Sequence, residues 1–185
     1  RRRFPKARHI APGTATVVPG LIDAHAHLFC LGQALMLADL SGARSIEEVV
    51  ERLRAFARTA PADAWIQGWG WDQNRWPGQA FPTTAELDAA FPDRPVWLSR
   101  IDGHAGWANS AALRAAEALP GARKLDGQWQ PEGGRIVRDG ARASGVLVDE
   151  AMGLVQRAVP APTEALREEA LRRALAAAVA NGLTG

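Results

Sequence analysis

Two histidines, His25 and His27, are separated by a single residue within a short apolar segment, Leu21 to Leu28. The turn-forming pair Pro19-Gly20 precedes this segment, whose length favours a buried strand over a helix. Residues two apart on a strand share a face and lie about 6 to 7 Å apart, so two imidazoles can bind one zinc ion through bonds of about 2.0 to 2.1 Å. Asp23 shares the face and could orient an imidazole. A metal site is therefore predicted in preference to two polar histidines on an ordinary strand, since unpaired histidines are costly to bury.

Two further candidates follow predicted strands. His104 comes after the strand predicted at Val96 to Ile101, where it could bind a substrate or move a proton, or equally brace a turn through Asp102. Glu150 comes after the strand predicted at Gly145 to Val148 and could bridge a metal ion. The alternative for Glu150 is a glutamate that begins a helix and is favoured there by the helix dipole.

Four tryptophans fall within twelve residues: Trp65, Trp69, Trp71 and Trp76. Trp69 and Trp71 alternate with glycines on a strand-like run, which predicts that both face one side, and Asp72 adds a polar group at that end. We interpret this run as the wall of a substrate pocket, with core filling as the alternative. Asn109 is interpreted first as the cap of a helix over Ser110 to Leu119, and second as a substrate ligand.

Polar caps and β-prone runs alternate along the chain. Helices are predicted to begin after three capping residues: Ser45, Thr83 and Thr163. Strands are predicted at Ala64 to Gly70 and Val96 to Ile101, with a hairpin formed by Arg135 to Arg138 and Gly145 to Val148. Strands that alternate with helices favour an α/β fold.

The composition excludes several classes of protein. The 185 residues are 47% hydrophobic, with 22 basic and 20 acidic side chains, which fits a globular domain and excludes disorder. No apolar run is long enough for a membrane span. The formal net charge of +2 is too small to imply a nucleic-acid partner, and the basic arm of Arg1 to Arg3, Lys6 and Arg8 is interpreted as a solvated tail. The lone Cys30, expected to be buried, excludes an internal disulfide and fits a cytoplasmic location.

The run Val17-Val18-Pro19-Gly20-Leu21-Ile22-Asp23-Ala24-His25-Ala26-His27 resembles the opening signature of the amidohydrolase superfamily, in which it forms the first strand of a (β/α)₈ barrel. Three later motifs are similar to the YtcJ-like branch, the third amidohydrolase family: Gly68 to Asp72, Asp102 to Leu113, and Ser144 to Ala151. Together the four motifs cover nearly the whole chain in the order expected of that branch.

The resemblance implies a metal-dependent hydrolase that cleaves carbon–nitrogen bonds other than peptide bonds in a small amide, formamide or cyclic amide. One or two ions, usually zinc, activate a water molecule in such enzymes, and an acidic residue late in the barrel shuttles the proton. His25 and His27 match the first two ligands. The superfamily also uses two histidines and an aspartate from later strands, whereas only His9, expected to be exposed, and His104 remain here.

A complete barrel needs about 200 to 250 residues. We therefore expect residues 17–185 to form the amino-terminal part of a barrel, with an α+β segment inserted at about 60–150. Residues 1–16 are expected to be the end of a preceding β-rich domain. With the later ligands and the proton shuttle absent, this chain alone is expected to be inactive or nearly so. A non-catalytic metal- or ligand-binding module is the alternative.

Overall fold

The computed structural model describes residue 8 and residues 11–185, and its centre is a six-stranded sheet in the order β1-β2-β3-β4-β6-β5. The strands are Ala38–Asp39 (β1), Ile66–Trp71 (β2), Val96–Arg100 (β3), Ala105–Ala108 (β4), Gly134–Asp139 (β5) and Arg142–Asp149 (β6). The first three strands are parallel, and the β3–β4, β4–β6 and β6–β5 pairs are antiparallel. The α/β prediction is therefore confirmed at the level of a mixed α/β fold.

Within the described residues, six α-helices surround the sheet: Leu28–Ala34 (α1), Ile46–Ala57 (α2), Thr84–Ala90 (α3), Ser110–Glu117 (α4), Gly153–Gln156 (α5) and Glu164–Ala180 (α6). Short 3₁₀ helices cover Gln73–Arg75 and Glu150–Met152. The side chains of Ser45, Thr83 and Thr163 accept hydrogen bonds from main-chain N–H groups at the starts of α2, α3 and α6. The three predicted helix starts are therefore confirmed. None of these helices is long and apolar enough to cross a bilayer.

The sheet carries an apolar core on each face. Val96 and Leu98 of β3 pack in one core with residues of α2 and α3, whereas Trp97 packs in the other with residues of α4 and α5. Consecutive residues on a strand point to opposite faces, and here both faces are covered. The sheet is therefore the middle layer of three, and its strand ends are free to carry polar side chains.

Helices α1 and α6 pack closely against each other. A Cβ atom on Gly32 would lie 2.0 Å from the carbonyl oxygen of Ala170, so this helix contact requires a glycine. On α6 only Ala170 and Ala174 are buried. Four larger apolar side chains of α6 are exposed: Leu166, Leu171, Leu175 and Val179. The apolar face of α6 is thus only partly covered.

The strand predicted at Leu21 to Leu28 is wrong in its extent. Leu21 forms an isolated parallel bridge with Leu183, and the N–H of Asp23 donates to the carbonyl of Gly185 at 2.9 Å. The chain then bends, and α1 begins at Leu28. Parallel strands are normally covered on both faces, but Leu21 and Ile22 are 59% and 80% exposed. A strand so exposed has little burial to stabilise a longer ladder.

The expectation of a buried thiol is also wrong, because Cys30 is exposed. The basic arm falls outside the described residues except for Arg8, and His9 falls outside them too.

The sheet begins at Ala38, well before residue 60, where the inserted segment was expected to begin. The bridge between Leu21 and Leu183 joins the chain segments that precede and follow the sheet. The domain boundaries themselves stay predictions.

Candidate active site

The rings of His25 and His27 converge. Their Nε2 atoms lie 3.1 Å apart and their ring centroids 5.1 Å apart, on an exposed bend just before α1. Two ligand nitrogens on one tetrahedral zinc ion lie about 3.3 Å apart when each bond is about 2.0 to 2.1 Å. The two imidazoles therefore fit two positions of a shared metal ion, although a bend and not a strand brings them together.

Asp23 acts on the main chain near this pair. Its Oδ1 atom accepts a hydrogen bond from the N–H of His25 at 3.0 Å, so the carboxylate stabilises the bend. The imidazole-orienting role of Asp23 stays a prediction, because this contact uses only one oxygen of the carboxylate. A carboxylate two residues before an N–H donor is a common local turn contact.

The described residues bring no third metal ligand to the pair. Within residue 8 and residues 11–185, no three His, Cys, Asp or Glu side chains are grouped closely enough to hold a metal ion. Glu150 begins the 3₁₀ helix after β6 and is exposed. Its proposed role as a metal ligand stays a prediction, because the structure does not bring it into a three-ligand group with His25 and His27.

His104 lies in a cluster of charged side chains at the end of β3. The guanidinium of Arg100 donates to both carboxylate oxygens of Asp102, with Nε 2.9 Å from Oδ1. The main-chain N–H of His104 also donates to Asp102, at 3.0 Å. The hydrogen bond from Arg100 is the main cause that lowers the pKa of Asp102 from 3.8 to about 2, against an opposing effect of burial. The same contact raises the pKa of Arg100.

The ring of His104 has a different partner. Its Nδ1 atom lies 2.9 Å from Oδ1 of Asp149, and the N–H of Asp149 donates to the carbonyl of His104 at 3.0 Å. The two open interpretations of His104 thus both have a structural counterpart: its main chain is braced by Asp102, and its ring is held by Asp149. The His104 side chain is 73% exposed, so the other face of the ring is accessible.

Asp149 adopts an unusual backbone conformation, with φ +50° and ψ −126°. Such a conformation costs a residue other than glycine about 1 to 3 kcal/mol. Even an exposed ion pair, the strongest form that this contact could take, contributes only about 0.2 to 1 kcal/mol, and the Asp149 side chain is 48% exposed. The contact with His104 therefore does not offset the strain by stability alone.

The carboxyl ends of β2, β3 and β6 meet at one edge of the sheet, which brings five side chains to it: Asp72, Arg100, Asp102, His104 and Asp149. We call these five residues the polar edge. Asp72 and Asp149 each add an attraction that helps to raise the pKa of Arg100. The Oδ1 atom of Asp72 also accepts from the N–H of Asn74 at 3.1 Å and so begins a 3₁₀ helix.

A bulge separates Trp69 from Trp71. Trp69 pairs with Ser99 and Trp71 with Arg100, so Gly70 is the extra residue. The two rings therefore face opposite sides of the sheet, and the prediction that they share one side is wrong. Trp71 is fully buried and donates from Nε1 to the carbonyl of Leu98 at 3.0 Å. It fills the core, whereas Trp69 is half-buried.

Gly70 permits this bulge, since its φ is +96° and a Cβ atom there would lie 2.4 Å from Oγ of Ser41. The other two tryptophans of the group, Trp65 and Trp76, also differ in burial. Trp76 is buried and stacks on Trp71 at 5.8 Å between ring centroids, whereas Trp65 lines a groove. That groove, about 1230 Å³ in volume, lies between the α1–α6 pair and the sheet, and neither the histidine pair nor the polar edge lines it.

Asn109 has no free capacity for a ligand. Its side chain is fully buried, and Oδ1 accepts from the N–H groups of Val96 and Ala112, both at 2.9 Å. Its Nδ2 donates to the carbonyls of Phe91 and Arg94 at 2.8 and 2.9 Å. The helix-cap interpretation is confirmed, and substrate binding by Asn109 is excluded by burial and by these four hydrogen bonds.

Sequence reasoning did not single out Arg100 and Asp149, although both lie at strand ends. Arg100 is the last residue of β3, and Asp149 is the last of β6. For the pair of Arg100 and Asp102, the signal available in the sequence is a basic side chain two residues before the aspartate. The contact of Asp149 with His104 joins positions 45 residues apart, and only the strand order reveals it.

Two histidines whose Nε2 atoms lie 3.1 Å apart can share one divalent metal ion. The sequence model of the amidohydrolase family matches residues 14–185, and the chain belongs to that family. It is 36% identical over 182 residues to the putative amidohydrolase YtcJ of Bacillus subtilis (strain 168), covering 98% of this chain and 33% of that protein.

Two further comparisons agree with this assignment. The N-substituted formamide deformylase of Arthrobacter pascens is 34% identical over 157 residues, which cover 83% of this chain and 28% of the deformylase. The crystal structure of an uncharacterized metal-dependent hydrolase from Pyrococcus horikoshii OT3 superimposes with a TM-score of 0.62 at 25% identity, over 90% of this chain and 30% of that one. The chain thus spans about a third of the length of the curated relatives it matches.

Proposed function

We propose that this chain is part of a metal-dependent amidohydrolase that cleaves a carbon–nitrogen bond other than a peptide bond. The observation that carries the proposal is the 3.1 Å separation of the Nε2 atoms of His25 and His27. Imidazole nitrogens at this separation suit zinc or another divalent transition metal. The similarity to the N-substituted formamide deformylase supports a small amide or formamide as the substrate.

His25 and His27 would hold the ion. Bound there, zinc supplies a Lewis acid that polarises a carbonyl group and lowers the pKa of a bound water. His104 would move a proton, because its exposed ring is held by a carboxylate. Trp69 and Asp72, the two predicted pocket residues that keep some exposure, would contact the substrate.

In fold terms, we propose that the bridge of Leu21 to Leu183 belongs to two neighbouring barrel strands and that α1 and α6 are their helices. The six-stranded sheet would then be the inserted segment of the family, extending from about residue 38 to about residue 160. The family assignment supports this arrangement. The order along the chain supports it too, because both helices lie between the two parallel segments, as in a strand–helix–strand unit.

A second candidate function is a module that binds a metal without catalysis. The specific observation in its favour is that no third ligand joins His25 and His27 among the described residues. Both candidates require a metal on the pair, so metal binding is tested first and turnover second.

The first experiment measures zinc binding by the purified chain at equilibrium, in a titration with zinc. We expect about one equivalent in the wild type and a loss of that zinc in the His25→Ala/His27→Ala double variant. The matched control is His104→Ala, which removes an exposed histidine outside the pair and should retain the zinc. Equal zinc in the wild type and the double variant would contradict the proposed site.

The second experiment measures formate release from an N-substituted formamide. We expect the zinc-loaded chain alone to release formate no faster than zinc in buffer, because two ligands hold the ion incompletely. A polypeptide of the relatives' full length that contains this chain should release formate, and the His25→Ala/His27→Ala substitutions should abolish that activity. Zinc binding without turnover by either polypeptide would favour the non-catalytic module.

A further inference from the structure

We propose that Asp149 is a positioning residue for His104. Its carboxylate accepts the hydrogen bond from Nδ1–H of His104, so the neutral ring carries its proton on Nδ1 and presents an unprotonated Nε2 at the polar edge. The catalytic consequence of this arrangement rests on the proposed function, but the arrangement itself does not.

The direction of the hydrogen bond follows from the chemistry of its two atoms. Nδ1 of His104 lies 2.9 Å from Oδ1 of Asp149. An ionised carboxylate only accepts hydrogen bonds, so the imidazole nitrogen is the donor, and a neutral imidazole has one donor and one acceptor nitrogen. Nε2 is then the acceptor, and the ring is 73% exposed.

The competing carboxylate nearby is already occupied. Asp102 accepts hydrogen bonds from the guanidinium of Arg100 and from the main-chain N–H of His104. Asp72, the third carboxylate of the polar edge, accepts from the N–H of Asn74. Asp149 is therefore the carboxylate that remains to accept a hydrogen bond from the ring. Its main-chain N–H also donates to the carbonyl of His104, and this second contact holds the two residues together.

The backbone of Asp149 argues against a purely structural role. Glycine would adopt φ +50° without strain and could keep both the main-chain bond to His104 and the pairing with Gly134. An aspartate at this position accepts strain that its exposed contact with His104 does not offset. Positioning of the ring is the property that glycine would not provide.

If the proposed function holds, the unprotonated Nε2 would face the substrate as a hydrogen-bond or proton acceptor, beside the acidic residue that the resemblance implies as the proton shuttle. A proton taken up by the ring would be stabilised there by Asp149 and passed on from Nε2–H, so that the ring ends neutral. Asp149 itself would touch no reacting atom.

The test is a long-range ¹⁵N–¹H correlation spectrum of the metal-free chain, which identifies the protonated nitrogen of each neutral imidazole. His104→Gln assigns the signals of His104 by their loss. We expect the wild type to carry the proton on Nδ1. We expect Asp149→Gly to move it to Nε2, the form that a free imidazole favours, while its urea midpoint stays equal or rises. The matched control Asp102→Asn perturbs the same loop without touching the ring and should keep the proton on Nδ1.

A proton on Nε2 in the wild type would overturn the proposal, as would an Asp149→Gly variant that keeps it on Nδ1. If Asp149→Gly does not fold, Asp149→Asn serves instead, because its amide can donate as well as accept and should give a mixture of the two forms. An unchanged Nδ1–H form in Asp149→Asn would equally overturn it. These readouts need neither zinc nor substrate, so a failure of the proposed function leaves them interpretable.

Discussion

Replacing Asn109 with alanine is expected to destabilise the chain by about 4 kcal/mol. The side chain is fully buried and makes four hydrogen bonds, to Val96, Ala112, Phe91 and Arg94. A hydrogen bond contributes about 1 kcal/mol net, and a buried group left without a partner costs about 1 to 3 kcal/mol. The loss would be a large part of the about 5 to 15 kcal/mol that stabilises a typical domain.

The measurement is urea unfolding followed by tryptophan fluorescence, for which the chain offers seven tryptophans. Asn74→Ala is the matched control, because Asn74 is exposed and the same substitution there should change stability by less than about 0.5 kcal/mol. A loss below about 1 kcal/mol for Asn109→Ala would refute the structural role and reopen substrate binding.

Two further outcomes are expected. Trp71→Ala should cost about 3 to 5 kcal/mol in urea unfolding, because the ring is fully buried. Trp69→Ala should cost markedly less, and equal losses would contradict the bulge. Acid should weaken the polar edge through Asp102, whose folded pKa of about 2 lies below its ordinary 3.8. The stabilisation by Asp102 is therefore complete above about pH 4 and lost as the pH falls towards about 2. Asp102→Asn should flatten this part of the stability profile, and an unchanged profile would argue against the ion pair with Arg100.

Features set by neighbouring residues were predictable from the sequence. The capping box at Thr83 needs only Glu86 three residues later, and both hydrogen bonds of the box are present. The strands over Ile66–Trp71 and Val96–Arg100 lie within or close to the predicted runs. The convergence of His25 and His27 also needed only their one-residue spacing, since both a strand and the observed bend bring the rings together.

Features set by distant contacts were not predictable. The opposite facing of Trp69 and Trp71 depends on how Gly70 meets Ser41, which lies on another part of the chain. The exposed Leu171 and Cys30 show that an apolar or thiol side chain reports a tendency to be buried, not the presence of a covering element. β4, which spans Ala105–Ala108, has three small residues beside the β-prone Trp107, so its strand character comes mainly from its two partner strands.

The contact between Leu21 and Leu183 joins positions about 160 residues apart, and both connections to the sheet, at Met36 and at Pro160, line the same groove. The stretch between them thus begins and ends beside one groove, as the proposed inserted segment would. The free-energy cost of closing a loop in the chain rises by only about 0.6 kcal/mol for each doubling of the loop's length. Evolution can consequently enlarge, trim or exchange it at little thermodynamic expense, while the histidine-bearing bend keeps its neighbours.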